Sequence, residues 1–120
     1  METLSLPYPP STNRLTRYGN GKAYASPQAQ AWKQQAAWVA KAAGVRVTAL
    51  PVAVAILLHP KANKDGSASK RRIDLDNAIK ATLDALNGVA WLDDRQVIRL
   101  AAEVSDPLEH GGLTVNWREA

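Results

Sequence analysis

Pro51 opens an uninterrupted apolar run, Val52-Ala-Val-Ala-Ile-Leu-Leu-His59, that has the length of one strand and is rich in strand-forming residues. A run of this kind belongs in the middle of a sheet, so the rest of the chain must supply its neighbours and its cover. From Asp74 to Leu86 the period changes to that of a helix, with Leu75, Ile79, Leu83 and Leu86 on one stripe. Gln96 to Val104 then alternates: Ile98, Leu100, Ala102 and Val104 face one way, Arg99 and Glu103 the other. Leu113, Val115 and Trp117 alternate in the same manner. Between them Ser105–Gly112, with Pro107 and Gly111-Gly112, is expected to close an antiparallel hairpin.

Upstream, Thr3–Leu6 reads as a short strand stopped by Pro7-Tyr8-Pro9-Pro10. Ser11–Lys22 reads as a polar loop. Ser26-Pro27 starts a helix, Ser at the cap and Pro at the first helical position. Trp32, Ala36, Val39 and Ala43 continue it at helical spacing, and Gly44 ends it. Pro60–Lys70, around Asn63-Lys64-Asp65-Gly66-Ser67, reads as a flexible basic loop. The order strand-helix-strand-helix-strand-strand predicts an α/β fold, a compact two-layer domain with a small mixed β-sheet packed by two main helices. At 120 residues the chain is expected to be a single domain, 1–120.

Much of the hydrophobic content is Ala, with no Phe and one Met, so four Trp and three Tyr must supply the bulk. A core this thin favours an oligomer. With no Cys, disulfides and thiolate metal sites are excluded. No basic-then-apolar segment opens the chain and no apolar run approaches ~20 residues, so a soluble cytoplasmic protein with no membrane partner is expected. The net charge of +4 suits a polyanion. Lys61, Lys64, Lys70, Arg71 and Arg72 precede an acidic cluster, and Arg14, Arg17 and Lys22 form a second basic group. Basic flanks around an acidic centre suit a nuclease, whose substrate track is basic and whose metal ligands are acidic.

The acidic centre is divided. Asp74-Leu75-Asp76-Asn77, with Lys80 beyond it, opens the second helix; Trp91-Leu92-Asp93-Asp94 follows that helix. Converging carboxylates without Cys or His favour a hard cation, above all Mg²⁺, which partners phosphate oxygens. The competing reading makes Asp74 and Asp76 helix caps, Asp76–Lys80 a surface pair and Asp93-Asp94 a turn. A helix of this length reaches ~20 Å, so the two groups meet only if the Trp91–Asp94 loop folds back or another subunit supplies one half. His59 and His110 have no evident partner and read as structural or surface residues. Tyr8, Tyr18 and Tyr24 read as packing residues before stacking ones. No Gly-rich phosphate loop or Ser-His-Asp pattern is present, so no nucleotide cofactor is expected.

The string Arg71-Arg72-Ile73-Asp74-Leu75-Asp76-Asn77-(two residues)-Lys80, then Trp91-Leu92-Asp93-Asp94-(one residue)-Gln96-Val97, resembles the RusA family of Holliday-junction resolvases. Pro9-Pro10-Ser11-Thr12-Asn13 resembles that family's opening motif, and the element order agrees along essentially the whole chain. The resemblance implies a small homodimeric endodeoxyribonuclease of bacterial or phage origin that makes paired cuts in a four-way DNA junction during recombination and repair, using Mg²⁺. It places metal-binding, catalytic carboxylates on Asp74, Asp76 and Asp94 and a catalytic lysine on Lys80, with Asp93 in support. Arg14, Arg17, Lys70, Arg71 and Arg72 are the residues expected to meet DNA. One departure stands out: Ile73 occupies a position where the family commonly carries a basic residue. The alternative function is a non-catalytic, dimeric junction-binding module.

Overall fold

Val52–His59 (β4) occupies the inner position that its composition requires, in a four-stranded mixed sheet of order β1-β6-β4-β5. A computed structural model describes residues 2–10, 16–19 and 22–120, with only the backbone described at 16–19 and 22–25. The elements are β1 (Glu2–Leu6), β2 (Thr16–Gly19), β3 (Lys22–Ala25), α1 (Pro27–Ala42), β4, α2 (Leu75–Leu86), β5 (Val97–Val104) and β6 (Gly112–Glu119). This is the expected α/β order, with one addition. The stretch read as a polar loop contains the antiparallel β2–β3 pair, in which Gly19 faces Lys22. Asn-Gly is a strong hairpin signal, and it stands between those two strands in the sequence.

Both helices lie on one face of the sheet. Leu4 and Leu6 of β1, Val54, Ile56 and Leu58 of β4, and Leu113, Val115 and Trp117 of β6 are buried beneath them. Helix α1 begins as expected, the Ser26 hydroxyl accepting a hydrogen bond from the Ala29 N–H. It buries Ala29, Trp32, Ala36 and Ala40, while Val39 lies at the margin and Ala43 is the exposed cap residue. Helix α2 rests on the sheet through small residues, Ala78, Ala81, Thr82 and Ala85, together with Leu86. Its larger side chains Leu75, Ile79 and Leu83 are only partly covered. Small residues let the helix sit close to the strands, and the drift of a 3.6-residue period carries the leucine stripe to the helix flank.

The expected hairpin between the last two strands is not formed. Strand β5 pairs with β4 in parallel, whereas β6 lies on the other side of β4 and antiparallel to it. A parallel pair needs a long crossover, and α2 provides one; β4 then keeps a free edge for β6. The connecting segment crosses the end of β4. Ser105 N–H donates to Leu58 O (2.8 Å), Leu108 N–H to Pro60 O (3.0 Å) and Ala62 N–H to Leu108 O (2.8 Å). His59 is structural, its ring nitrogens 2.8 Å from Asp106 O and 2.8 Å from Thr114 Oγ1.

The basic segment after β4 is also more ordered than expected. Asn63 N–H donates to Ser67 O (2.7 Å), Gly66 turns at φ 87°, and Ser69 N–H donates to Lys61 O (2.8 Å). The Ser67 hydroxyl and N–H both donate to Asp65, holding its carboxyl below the usual range. Among the described residues no helix is long and apolar enough to cross a membrane.

Candidate active site

Asp74 is the N-cap residue of α2 in extended conformation (φ −68°, ψ 152°), yet its side chain makes no capping hydrogen bond. Its backbone carbonyl starts the helix instead, accepting from Asn77 N–H (3.1 Å) and Ala78 N–H (3.2 Å). The capping explanation for this carboxylate therefore fails. Asp76 is in the first turn and Lys80 one turn further; both are exposed. The only ion pair among the described residues joins His110 and Glu109, so Asp76 and Lys80 do not form the surface pair their spacing permits. Three charged groups stand in water at one helix end with no partner that their local structure supplies.

Contacts of Ile73, Tyr8, Lys61 and Arg72 hold this end in place. Ile73 is 8% exposed and belongs to the hydrophobic core, which explains why an apolar side chain stands immediately before Asp74. Its N–H donates to the Tyr8 hydroxyl at 2.8 Å, tying the site to the Pro-rich segment after β1. The Lys61 ammonium lies 5.6 Å from the centre of the Tyr8 ring, within cation–π range. Arg72 donates from Nη1 to Ile73 O (3.0 Å), and Lys70 and Arg71 are exposed beside it. Arg14 lies outside the described residues, and of Arg17 and Lys22 only the backbone positions on β2 and β3 are described. Tyr8→Phe is expected to leave the Ile73 N–H without its acceptor, costing ~1–3 kcal/mol in urea unfolding. An unchanged midpoint would mean water replaces the phenol.

At the other end of α2, Asp93 and Asp94 differ sharply. Asp93 is the N-cap of a short 3₁₀ turn, Asp94–Gln96, its carboxylate accepting from Arg95 N–H at 2.8 Å. The Gln96 side chain closes the turn: Oε1 accepts from Asp93 N–H (2.8 Å) while Nε2 donates to Thr48 O (2.8 Å) and Leu50 O (2.9 Å). Asp93 thus serves the backbone. Asp94 does not: it is half-buried, and its Oδ1 accepts from the indole N–H of the fully buried Trp91 (3.0 Å). Trp91, Gln96 and Tyr8 were not singled out by sequence as parts of the site. Only the Trp-Leu-Asp-Asp-x-Gln spacing pointed to the first two, and nothing local pointed to Tyr8.

The two halves are remote from each other. Helix α2 returns the chain from the end of β4 to the start of the parallel strand β5, so Asp74 and Asp94 flank opposite ends of twelve helical residues. That helix is ~18 Å long. Among the described residues no group of three or more His, Cys, Asp or Glu side chains is close enough to hold a metal ion. The donors suit Mg²⁺ in kind, being hard carboxylate oxygens, but one chain does not assemble them.

An apolar margin runs between the two ends. Leu100, Ala102 and Val104 pair with Val54, Ile56 and Leu58 and so point to the helix-bearing face. Helix α2 does not cover them fully: Leu100 and Val104 are each 40% exposed, and Ile98, displaced by a register shift at the strand's start, is 65% exposed. A crossover of the usual right hand turns the Leu75–Ile79–Leu83 flank of α2 toward this edge, with Asp76 and Lys80 just above it.

Comparison with known proteins bears on this geometry. The family model for endodeoxyribonuclease RusA matches residues 7–116, a span containing both acidic groups. The crossover junction endodeoxyribonuclease RusA of Escherichia coli (strain K12) is 37% identical over 112 residues, covering 92% of this chain and 87% of that protein. The protein of the same name from Shigella sonnei (strain Ss046) is 36% identical over 112 residues, with the same coverage. That of Enterobacteria phage 82 is 36% identical over 111 residues, covering 91% and 86%.

Proposed function

The chain belongs to the RusA family of endodeoxyribonucleases, and from that membership we propose that it resolves four-way DNA junctions as a homodimer whose two active sites each draw on both subunits. It is a nuclease that hydrolyses DNA phosphodiester bonds, and its 120 residues act as one endonuclease domain in the cytoplasm. The observation that carries the composite site is the placement of Asp74 and Asp76 at one end of α2 and Asp94 at the other.

A two-fold axis perpendicular to α2 and β5 runs each element antiparallel to its copy. The Asp74 end of one subunit then meets the Asp94 end of the other, and the operation does this twice. The exposed margin of Ile98, Leu100 and Val104, with the flank Leu75–Ile79–Leu83, supplies the apolar surface such a contact needs. Strand β5 is also a sheet edge, with backbone groups free to pair with a second copy.

Asp74 and Asp76 from one subunit and Asp94 from the other would hold Mg²⁺. Bound there, the ion would polarise the scissile phosphate and acidify a water. Lys80, beside Asp76 on the exposed face of α2, would offset charge developing on the phosphate or the leaving oxygen. Lys70, Arg71 and Arg72 sit next to Asp74, where they would meet backbone phosphates and set affinity more than sequence choice. Arg14 and Arg17 are assigned the same role. Asp93 acts as a cap that holds the Asp94 turn. Two equivalent sites match the approximate two-fold symmetry of a four-way junction and so permit paired cuts.

The test compares wild type and Asp76→Asn on a labelled four-way junction and a matched duplex, with Mg²⁺ or EDTA. Wild type is expected to make symmetric, Mg²⁺-dependent cuts in the junction. Asp76→Asn should lose more than ~100-fold in cleavage while still binding, since even partners one shell beyond a metal ligand cost 10–100-fold. Junction binding by wild type with no cleavage under any divalent ion would leave a non-catalytic binding module.

A further inference from the structure

Trp91 is wholly buried, and its indole ring carries one polar hydrogen that must find an acceptor inside the protein. That acceptor is Oδ1 of Asp94, 3.0 Å away. The ring that presents the hydrogen is itself fixed. It packs edge-on against Trp117, with centroids 6.3 Å apart and planes at 83°. Its backbone is held on both sides, Gly88 N–H donating to Trp91 O (2.6 Å) and Leu92 N–H to Thr48 O (3.3 Å). Gln96 independently anchors the backbone on the far side of Asp94 to the Thr48–Leu50 segment. Backbone and donor are therefore both set, and together they select one carboxylate orientation.

A neutral N–H donor leaves the Asp94 charge in place. It occupies one lone pair of Oδ1, and the second oxygen keeps its full capacity to accept or coordinate. A metal ligand oriented in this way loses less rotational freedom when the ion arrives. We propose, resting on the composite metal site above, that Trp91 is a positioning residue: its buried indole N–H holds Asp94 in the orientation that binds the cation, so a core side chain sets metal affinity. The competing account is that the bond only satisfies a buried donor and serves the fold.

Trp91→Phe removes the donor and keeps an aromatic ring. In the full-length dimer, calorimetric titration with Mn²⁺ is expected to show about tenfold weaker binding. The Mg²⁺ concentration giving half-maximal junction cleavage should rise by a similar factor, with cleavage at saturating Mg²⁺ recovering to within ~3-fold of wild type. Unaltered Mn²⁺ affinity alongside a lowered melting temperature would overturn the proposal in favour of a purely structural bond.

A second measurement needs no substitution. In wild type, Mg²⁺ should shift the Trp91 indole N–H resonance more than those of the other three Trp residues, Trp91 being assigned by its proximity to the Trp117 ring. A Trp91 signal that ignores Mg²⁺ while the protein binds it would sink the idea even if the variant does not fold. Asp94→Asn separates this failure from that of the site itself. Wild-type Mn²⁺ affinity in that variant would remove Asp94 from the site and the proposal with it.

Discussion

A heterodimer of one Asp76→Asn chain and one Asp94→Asn chain is expected to regain cleavage that neither variant homodimer has. In a site built from Asp74 and Asp76 of one subunit and Asp94 of the other, pairing these chains places both defects in one site. The second site is then wild type at all three positions. Each homodimer should be down by more than ~100-fold, as for loss of a metal ligand. The heterodimer should nick one strand of the junction at about half the wild-type initial rate but fail to make paired cuts, having one working site of two. Refolding differently tagged chains together and purifying by both tags isolates the mixed species. The control pairs Asp74→Asn with Asp76→Asn. These residues share one half-site, so each composite site keeps a defect and no activity should return. If all three carboxylates acted within a single chain, neither mixture would be rescued, which makes the first one decisive.

Loss of activity without any change to the site's own residues is expected from Leu100→Glu. Leu100 is 40% exposed on the edge strand β5, among Ile98 and Val104, and is itself none of the acidic or basic residues of the site. A carboxylate there, facing its own copy across a two-fold contact, is both desolvated and repelled by a like charge. At micromolar concentration sedimentation should show a dimer for wild type and a monomer for the variant, and cleavage should fall by more than ~100-fold as the proposed half-sites separate. Far-UV circular dichroism should be retained, since Leu100 lies at the exposed margin of the sheet and not in the buried core. Trp38→Glu is the matching control. Trp38 is more exposed still, at 69%, but lies on α1, which packs against β1 at the other edge of the sheet from β5. It should leave both dimerisation and cleavage intact. A dimeric, active Leu100→Glu protein would move the interface elsewhere.

The order of the main elements could be read from sequence because each carries its own period. Val52–His59 is too apolar for an edge; Ser26-Pro27 satisfies a helix start through a local hydrogen bond; the Asp74–Leu86 stripe repeats every three to four residues. Such signals act over a few residues and survive in any tertiary setting. They failed where a choice between distant partners was needed. Alternation in β5 and β6 correctly marked two strands, but it carries no information about which strand each one meets, and β4 came to lie between them. The loop read as flexible after β4 is an ordered turn because Leu108 of the returning chain donates its N–H to Pro60 O and accepts from Ala62 N–H.

The site divides along the same line. Sequence alone determined which side chains are candidates: the paired carboxylates of Asp74 and Asp76, Lys80 one turn away, the Asp93-Asp94 pair and the basic run before them. Their chemistry resides in the residues themselves and needs no fold to be recognised. Only the tertiary structure decided what each can do. It freed Asp74 from the cap it could have been, assigned Asp93 to a backbone turn, and placed Asp94 against a buried indole. It also set the two halves at opposite ends of a rigid helix, because a parallel β4–β5 pair obliges the helix between them to run back the full length of the sheet. A helix has a fixed rise per residue, so no local rearrangement of side chains closes that distance, and the proposed second subunit is what would bring the halves together.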